Sequence, residues 1–128
     1  FTGVTLQHTR GHFVRSILEA VSAQLRENIE YLPYNVTSIK IMGGGAMSPL
    51  WCQIKADMTG KTLNTLKNRE TACLGSAILA GVGCGVFESV KSACVKIVLT
   101  DKTFSSSGVN YDEVFSRYKM TDNLLNPV

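Results

Sequence analysis

Between Ser38 and Trp51 the chain reads Ser-Ile-Lys-Ile-Met-Gly-Gly-Gly-Ala-Met-Ser-Pro-Leu-Trp, and this stretch constrains the fold more than any other. Ile39, Ile41 and Met42 form a short apolar run suited to a buried parallel strand. Gly43, Gly44 and Gly45 end that run, and no side chain there separates the backbone from an approaching group. Ser48 suits an N-cap, and Pro49 falls at the first helical position, where its missing N–H costs nothing. The pattern predicts a strand, a tight turn and a helix. A strand end facing a helix N-terminus, with backbone N–H groups between, is where α/β proteins hold phosphates or nucleotides. A connection that uses glycine only to turn sharply reads the same way. A dinucleotide fingerprint fits less well. Ser48 stands where a third glycine belongs, and the next strand ends in Asn64-Thr65-Leu66, with no acidic residue for a ribose.

The length of 128 residues allows one domain at most. A hydrophobic content of 45% and a charged content of 18% are globular values. The net charge of +3 is mild. The basic residues form no run that could track a phosphate backbone, which disfavours nucleic acid. No apolar run approaches a membrane span. The N-terminus, Phe1-Thr2-Gly3-Val4, has no initiator Met and no signal-peptide layout, and reads like a cut inside a longer protein. Cys52, Cys73, Cys84 and Cys94 form no CxxC pair and have Trp, Ala, Leu and Val as neighbours. They read as free, small buried hydrophobes in a reducing cytosol, not as zinc ligands or disulfides.

In chain order, Phe1 to Gln7 could close a strand or a loop. Thr9 can cap a helix over 10–32, whose Val14, Ile17, Leu18, Val21, Leu25, Ile29 and Leu32 recur on one face. Pro33 stops it. His8 and His12 have a helical metal-ligand spacing, but no third ligand is evident and they read as polar residues at a helix start. Arg15 can pair with Glu19 one turn on. The helix after the glycines runs over 49–59 with Gly60 as its stop. Asp57 near its end opposes the helix dipole and calls for a partner. A strand over 62–66 follows. Asn68 then caps a small-faced helix of Ala72, Gly75, Ser76, Ala77, Ala80 and Gly81. A short helix over 89–97, a polar loop over 100–108, a helix over 110–123 and the tail Asn126-Pro127-Val128 complete the chain. A strand–helix–strand unit implies a parallel pair. Two strands make no stable covered sheet, so further strands must come from other chain or another copy.

At this point the sequence resembles the C-terminal domain of the FGGY carbohydrate kinases. Gly3-Val4, seven residues, then His12-Phe13-Val14-Arg15-Ser16-Ile17-Leu18-Glu19 is similar to the family's downstream signature, which begins before Phe1. Gly43 to Ala46 with Ser48 to Asp57 is similar to its adenosine motif and the helix behind it. Glu70-Thr71-Ala72-Cys73-Leu74-Gly75-Ser76-Ala77-Ile78-Leu79-Ala80 is similar to its E-x-x-x-LG-AA-LA helix, with Ser76 for an alanine.

The resemblance implies part of a ribonuclease-H-like α/β domain, of the superfamily of sugar kinases, heat-shock chaperones and actin. Here it would comprise helix, strand, helix, strand, helix and two peripheral helices, with the first strands missing. Residues 1–128 would form the C-terminal part of the nucleotide-binding domain. The implied activity is ATP-dependent phosphorylation of a small sugar, with Mg²⁺ on the phosphates. The sugar would bind mainly to an absent N-terminal domain. Gly43, Gly44, Gly45, Ala46 and Pro49 would lie against ATP or ADP, with Gly45 giving a backbone contact. Where the glycerol kinase branch has an asparagine for adenine, Pro49 offers no donor, so packing or other groups must hold the base. No residue here is placed to be the catalytic base, so this chain alone would not catalyse. The Ser48-Pro49-Leu50-Trp51 form is similar to the xylulokinase-type branch, which favours a pentulose such as xylulose, with gluconate or another polyol behind. The expected setting is cytoplasmic, with neither nucleic acid nor membrane as partner and a homodimer as an open option. The competing reading is a non-catalytic interaction module derived from a kinase-like domain.

Overall fold

The computed structural model describes residues 1–68 and 70–125, so the tail over 126–128 lies outside it. Helix α1 spans Arg10–Glu30, β1 Ser38–Ile41, a 3-10 turn Gly44–Ala46, α2 Pro49–Thr59 and β2 Thr62–Leu66. Helix α3 spans Thr71–Gly83, α4 Val90–Ile97, β3 Thr100–Phe104 and α5 Asp112–Leu125. The strands form one sheet in the order β1-β2-β3. β1 and β2 are parallel with Ile39 opposite Leu63, and α2 makes the crossover between them. β3 runs antiparallel to β2, with an irregularity between Asn64 and Leu66.

β3 corrects the polar loop expected over 100–108. Of Thr-Asp-Lys-Thr-Phe only Phe104 is half-buried, so the strand carries almost no apolar signal. Backbone pairing with β2 holds it, and side-chain bonds add to that pairing. The Lys102 N–H donates to Thr65 Oγ1 at 3.1 Å, and Thr103 Oγ1 donates to Asn64 Oδ1 at 2.8 Å. The sheet therefore draws a third strand from within this chain, and charges on that strand suit a sheet edge.

Helix α2 is the centre of the unit. Ile54 and Met58 pack with Ala23, Tyr111 and Phe115 from α1 and the α5 region. Cys52 and Ala56 pack with Leu63 on the sheet. The two pairs are out of phase by two residues, which sends them to opposite sides of the helix. Ile54, Met58 and Leu63 are fully buried, each worth about 1.5–3 kcal/mol of transfer free energy. A third cluster, Leu74, Ile78 and Ala93, joins α3 to α4.

Helix α1 forms as expected but ends at Glu30, and only one edge of the expected face, Leu18, Leu25 and Ile29, turns inward, with Leu18 on the core. Ser22 and Ala23 are its buried residues, whereas Val14, Ile17 and Val21 are exposed. Small residues let α2 approach closely, so geometry rather than hydrophobicity selects the contact. Of the cysteines, all free, only Cys52 is buried; Cys73 and Cys84 are exposed, contrary to the expectation from their neighbours. Residues 1–7 form neither strand nor helix.

Candidate functional site

The glycine stretch folds as its residues require. Gly43 has φ +70°, the left-handed region that favours glycine. The Ala46 and Met47 N–H groups donate to the Gly43 and Gly44 carbonyls at 3.1 Å each. These bonds do not use the Gly44 and Gly45 N–H groups. Ser48 caps α2 through its Oγ, which accepts the Trp51 N–H at 3.3 Å, and Pro49 holds the first helical position. The turn is thus fixed against the start of α2.

The glycines face different surroundings. A Cβ on Gly44 would meet nothing within 4 Å, so its bare side is open. A Cβ on Gly45 would lie 3.1 Å from Lys55 Nζ and 3.5 Å from Trp51 Cζ3. Gly45 therefore sits directly on the α2 side chains. Trp51 is held by its Nε1–H, which donates to the Leu18 carbonyl at 3.2 Å. The Lys55 ammonium lies 3.8 Å from the centre of the Trp51 ring. The Cys52 thiol donates to the Gly45 and Ala46 carbonyls at 3.7 Å each, and burial pushes its pKa up. Burial pushes the Lys55 pKa down.

Gly43, Gly44, Gly45, Ala46 and Pro49 are thus brought together at one end of the sheet. A recess of about 60 Å³ beside them is lined by Met42, Ala46, Pro49, Asn68, Asp101 and Lys102. A cleft of about 590 Å³ lies at the other end of α2, beside Asp57, Gly60 and Tyr111. Its Arg26 is committed to Asp112 at 2.9 Å and Glu30 at 3.4 Å.

The other candidates are structural. His12 Nδ1 accepts the Thr9 N–H at 3.1 Å and His8 Nδ1 accepts the Thr5 N–H at 3.0 Å, the helix-start role expected for both. Among the described residues no group of three His, Cys, Asp or Glu could hold a metal. Arg15 pairs with Glu19 at 2.6 Å, as the spacing predicts. Tyr111 joins them, accepting from Arg15 and donating to Glu19 at 3.2 Å. Asp57 finds its partners in the Ser107 N–H and Gln53 Nε2. Lys55 is the residue that sequence reasoning passed over; the available signal was a lysine set between Ile54 and Ala56 in an apolar helix.

Residues 1–84 match the FGGY family of carbohydrate kinases, C-terminal domain. The chain belongs to that family. It is 32% identical over 115 residues to a xylulose kinase of Staphylococcus epidermidis, across 88% of this chain and 23% of the relative. An L-fuculokinase of Escherichia coli O157:H7 is 39% identical over 99 residues, across 74% of this chain and 21% of that protein. The solved structure of a xylulose kinase from Rhodospirillum rubrum matches with a TM-score of 0.83 at 26% identity, over 99% of this chain and 27% of that one. The chain spans about a quarter of the length of these FGGY relatives. Its α/β unit is part of the actin-like fold of the sugar kinases. No helix among the described residues is long and apolar enough to cross a membrane.

Proposed function

We propose that residues 1–128 are the C-terminal part of the nucleotide-binding domain of an ATP-dependent sugar kinase. The observation that carries this reading is the glycine turn, where an open Gly44 and two N–H groups that bond to no other described residue stand at the N-terminus of α2. ATP or ADP would lie along Gly43, Gly44, Gly45 and Ala46, accepting hydrogen bonds from backbone donors. Pro49 and the apolar wall of the recess would pack against the base. ATP supplies the γ-phosphoryl group for a sugar hydroxyl, with Mg²⁺ on its phosphates. No described cluster fits that ion by itself, so its ligands would be phosphates and groups elsewhere in the parent. The sugar site, the catalytic base and the remaining phosphate contacts would likewise come from the parent, so this chain binds nucleotide without transferring phosphate. The acceptor would be a pentulose such as xylulose, which the Ser48-Pro49-Leu50-Trp51 form and the xylulose kinase relatives support. Free cysteines support a cytoplasmic setting.

The test is ADP titration of the full protein carrying this chain, by calorimetry, beside Gly44→Val. The added side chain enters open space, so the unfolding midpoint should hold while ADP affinity falls at least about tenfold. Equal affinity in both proteins rejects the placement.

One observation favours a second reading, an interaction module. Among the described residues β1 pairs only with β2, so its outer edge can take a strand from a second copy, giving a homodimer. A monomer by light scattering at all concentrations, with the β1 amides protected from exchange, rejects that reading.

A further inference from the structure

Lys55 is 6% exposed, and charged side chains are rarely that buried without a partner. Among the described residues its ammonium has no carboxylate within ion-pairing distance and no hydrogen-bond acceptor. It lies on the face of Trp51 at 3.8 Å and is electrostatically coupled to the Cys52 thiol. A cation over an indole is stabilised, but the ring accepts no N–H bond in the way an oxygen does. No described side-chain nitrogen or oxygen is both sealed from solvent and unbonded, so the Lys55 ammonium keeps a small opening. The ammonium lies against the turn, with Nζ 3.1 Å from where a Gly45 Cβ would stand, next to the open side of Gly44 in sequence.

A buried lysine without an anion is costly, and an apolar residue of similar length would pack the same space without that cost. The charge therefore calls for an anion on the glycine side. The same place already offers the positive end of α2 and two backbone N–H groups that bond to no other described residue. We propose that the Lys55 ammonium binds a phosphate oxygen of the nucleotide lying on the glycine turn. The inference rests on the nucleotide reading above and adds to it a side chain specific for the phosphate, not the base. A side chain on Gly45 would crowd the ammonium and the Trp51 ring directly.

The experiment compares adenosine and ADP binding to wild type, Lys55→Met and Lys55→Arg in the full protein carrying this chain. Methionine keeps the length and apolar stem and removes the buried charge, so the fold is retained. ADP affinity should fall about tenfold to a hundredfold in Lys55→Met, the range for one charge-assisted hydrogen bond. Adenosine affinity should stay within about twofold, and Lys55→Arg should recover part of the ADP loss. Three results overturn the proposal. In the first, Lys55→Met binds ADP as wild type does, which leaves the nucleotide reading standing. In the second, both ligands weaken equally, which makes Lys55 a packing residue only. In the third, wild type binds neither ligand, which removes the nucleotide reading and this inference together.

Discussion

The carboxylate of Asp57 accepts the backbone N–H of Ser107, fifty positions further along the chain. Gln53, one turn earlier on α2, donates to the same Asp57 oxygen at 3.1 Å and to the Ser105 carbonyl at 2.8 Å. Two α2 side chains thereby tie down the segment that leads from β3 to α5. Asp57→Ala should lower stability by about 1–3 kcal/mol, the cost of leaving such donors unpaired. Urea denaturation measures this, and a double-mutant cycle with Gln53→Ala should show coupling. Purely additive losses would mean that the two side chains do not act together.

Trp51 is the only tryptophan in the chain and lies beneath Gly45 with the Lys55 ammonium on its face. Its emission should shift when ADP settles on the turn, and adenosine should shift it less. Trp51→Phe keeps the ring but loses the Nε1–H bond to Leu18, at a cost of about 0.5–1.5 kcal/mol. Emission unchanged at saturating ADP would separate the ligand from this turn.

Gly81 is needed for packing. A Cβ there would stand 2.7 Å from Phe87 Cδ2, and Val86 donates its N–H to the Gly81 carbonyl at 2.8 Å. Gly81→Ala should cost about 1–3 kcal/mol by overpacking, although alanine is the better helix former. Adding Phe87→Leu should recover part of the loss in a thermal melt. A stabilised Gly81→Ala would show that the ring gives way freely.

Tyr118 donates to Glu27 Oε2 at 3.2 Å, and burial, with the Glu27 carboxylate next, pushes its pKa up to about 12. The ordinary tyrosine value is about 10. A raised pKa favours the protonated phenol in the folded protein. That contribution is complete below about pH 10 and is lost as pH rises through about 12. Stability followed by circular dichroism should fall across this window, and Tyr118→Phe should flatten the fall. An equally steep fall in the variant would assign it to other groups.

The turn was legible in the sequence because each residue in it has a local reason to be there. Ser48 caps, Pro49 starts a helix and Gly43 takes a positive φ, and none of these needs a distant partner. β3 was not legible, because Thr65 and Asn64 help hold it through side-chain bonds that only the pairing creates. The α1 stripe was legible as a pattern, but only its edge of Leu18, Leu25 and Ile29 turns inward. Val14, Ile17 and Val21 supply the periodicity, while Ser22 and Ala23 make the closest approach. Lys55 escaped notice because its burial comes from the glycine turn folding over it, a tertiary effect with no periodic trace.

Among the described residues the cluster of Leu74, Ile78 and Ala93 shares no buried residue with the two clusters around α2, and α4 is the one extensive neighbour of α3. The helical pair can therefore breathe as a unit without melting the sheet, so the molecule need not open all at once. Asn68, in the segment leading into α3, lines the recess beside the glycine turn. Each such opening would loosen one wall of that recess while β1, β2 and α2 stay locked. The entrance to the turn would then be its most yielding side and the floor its most rigid.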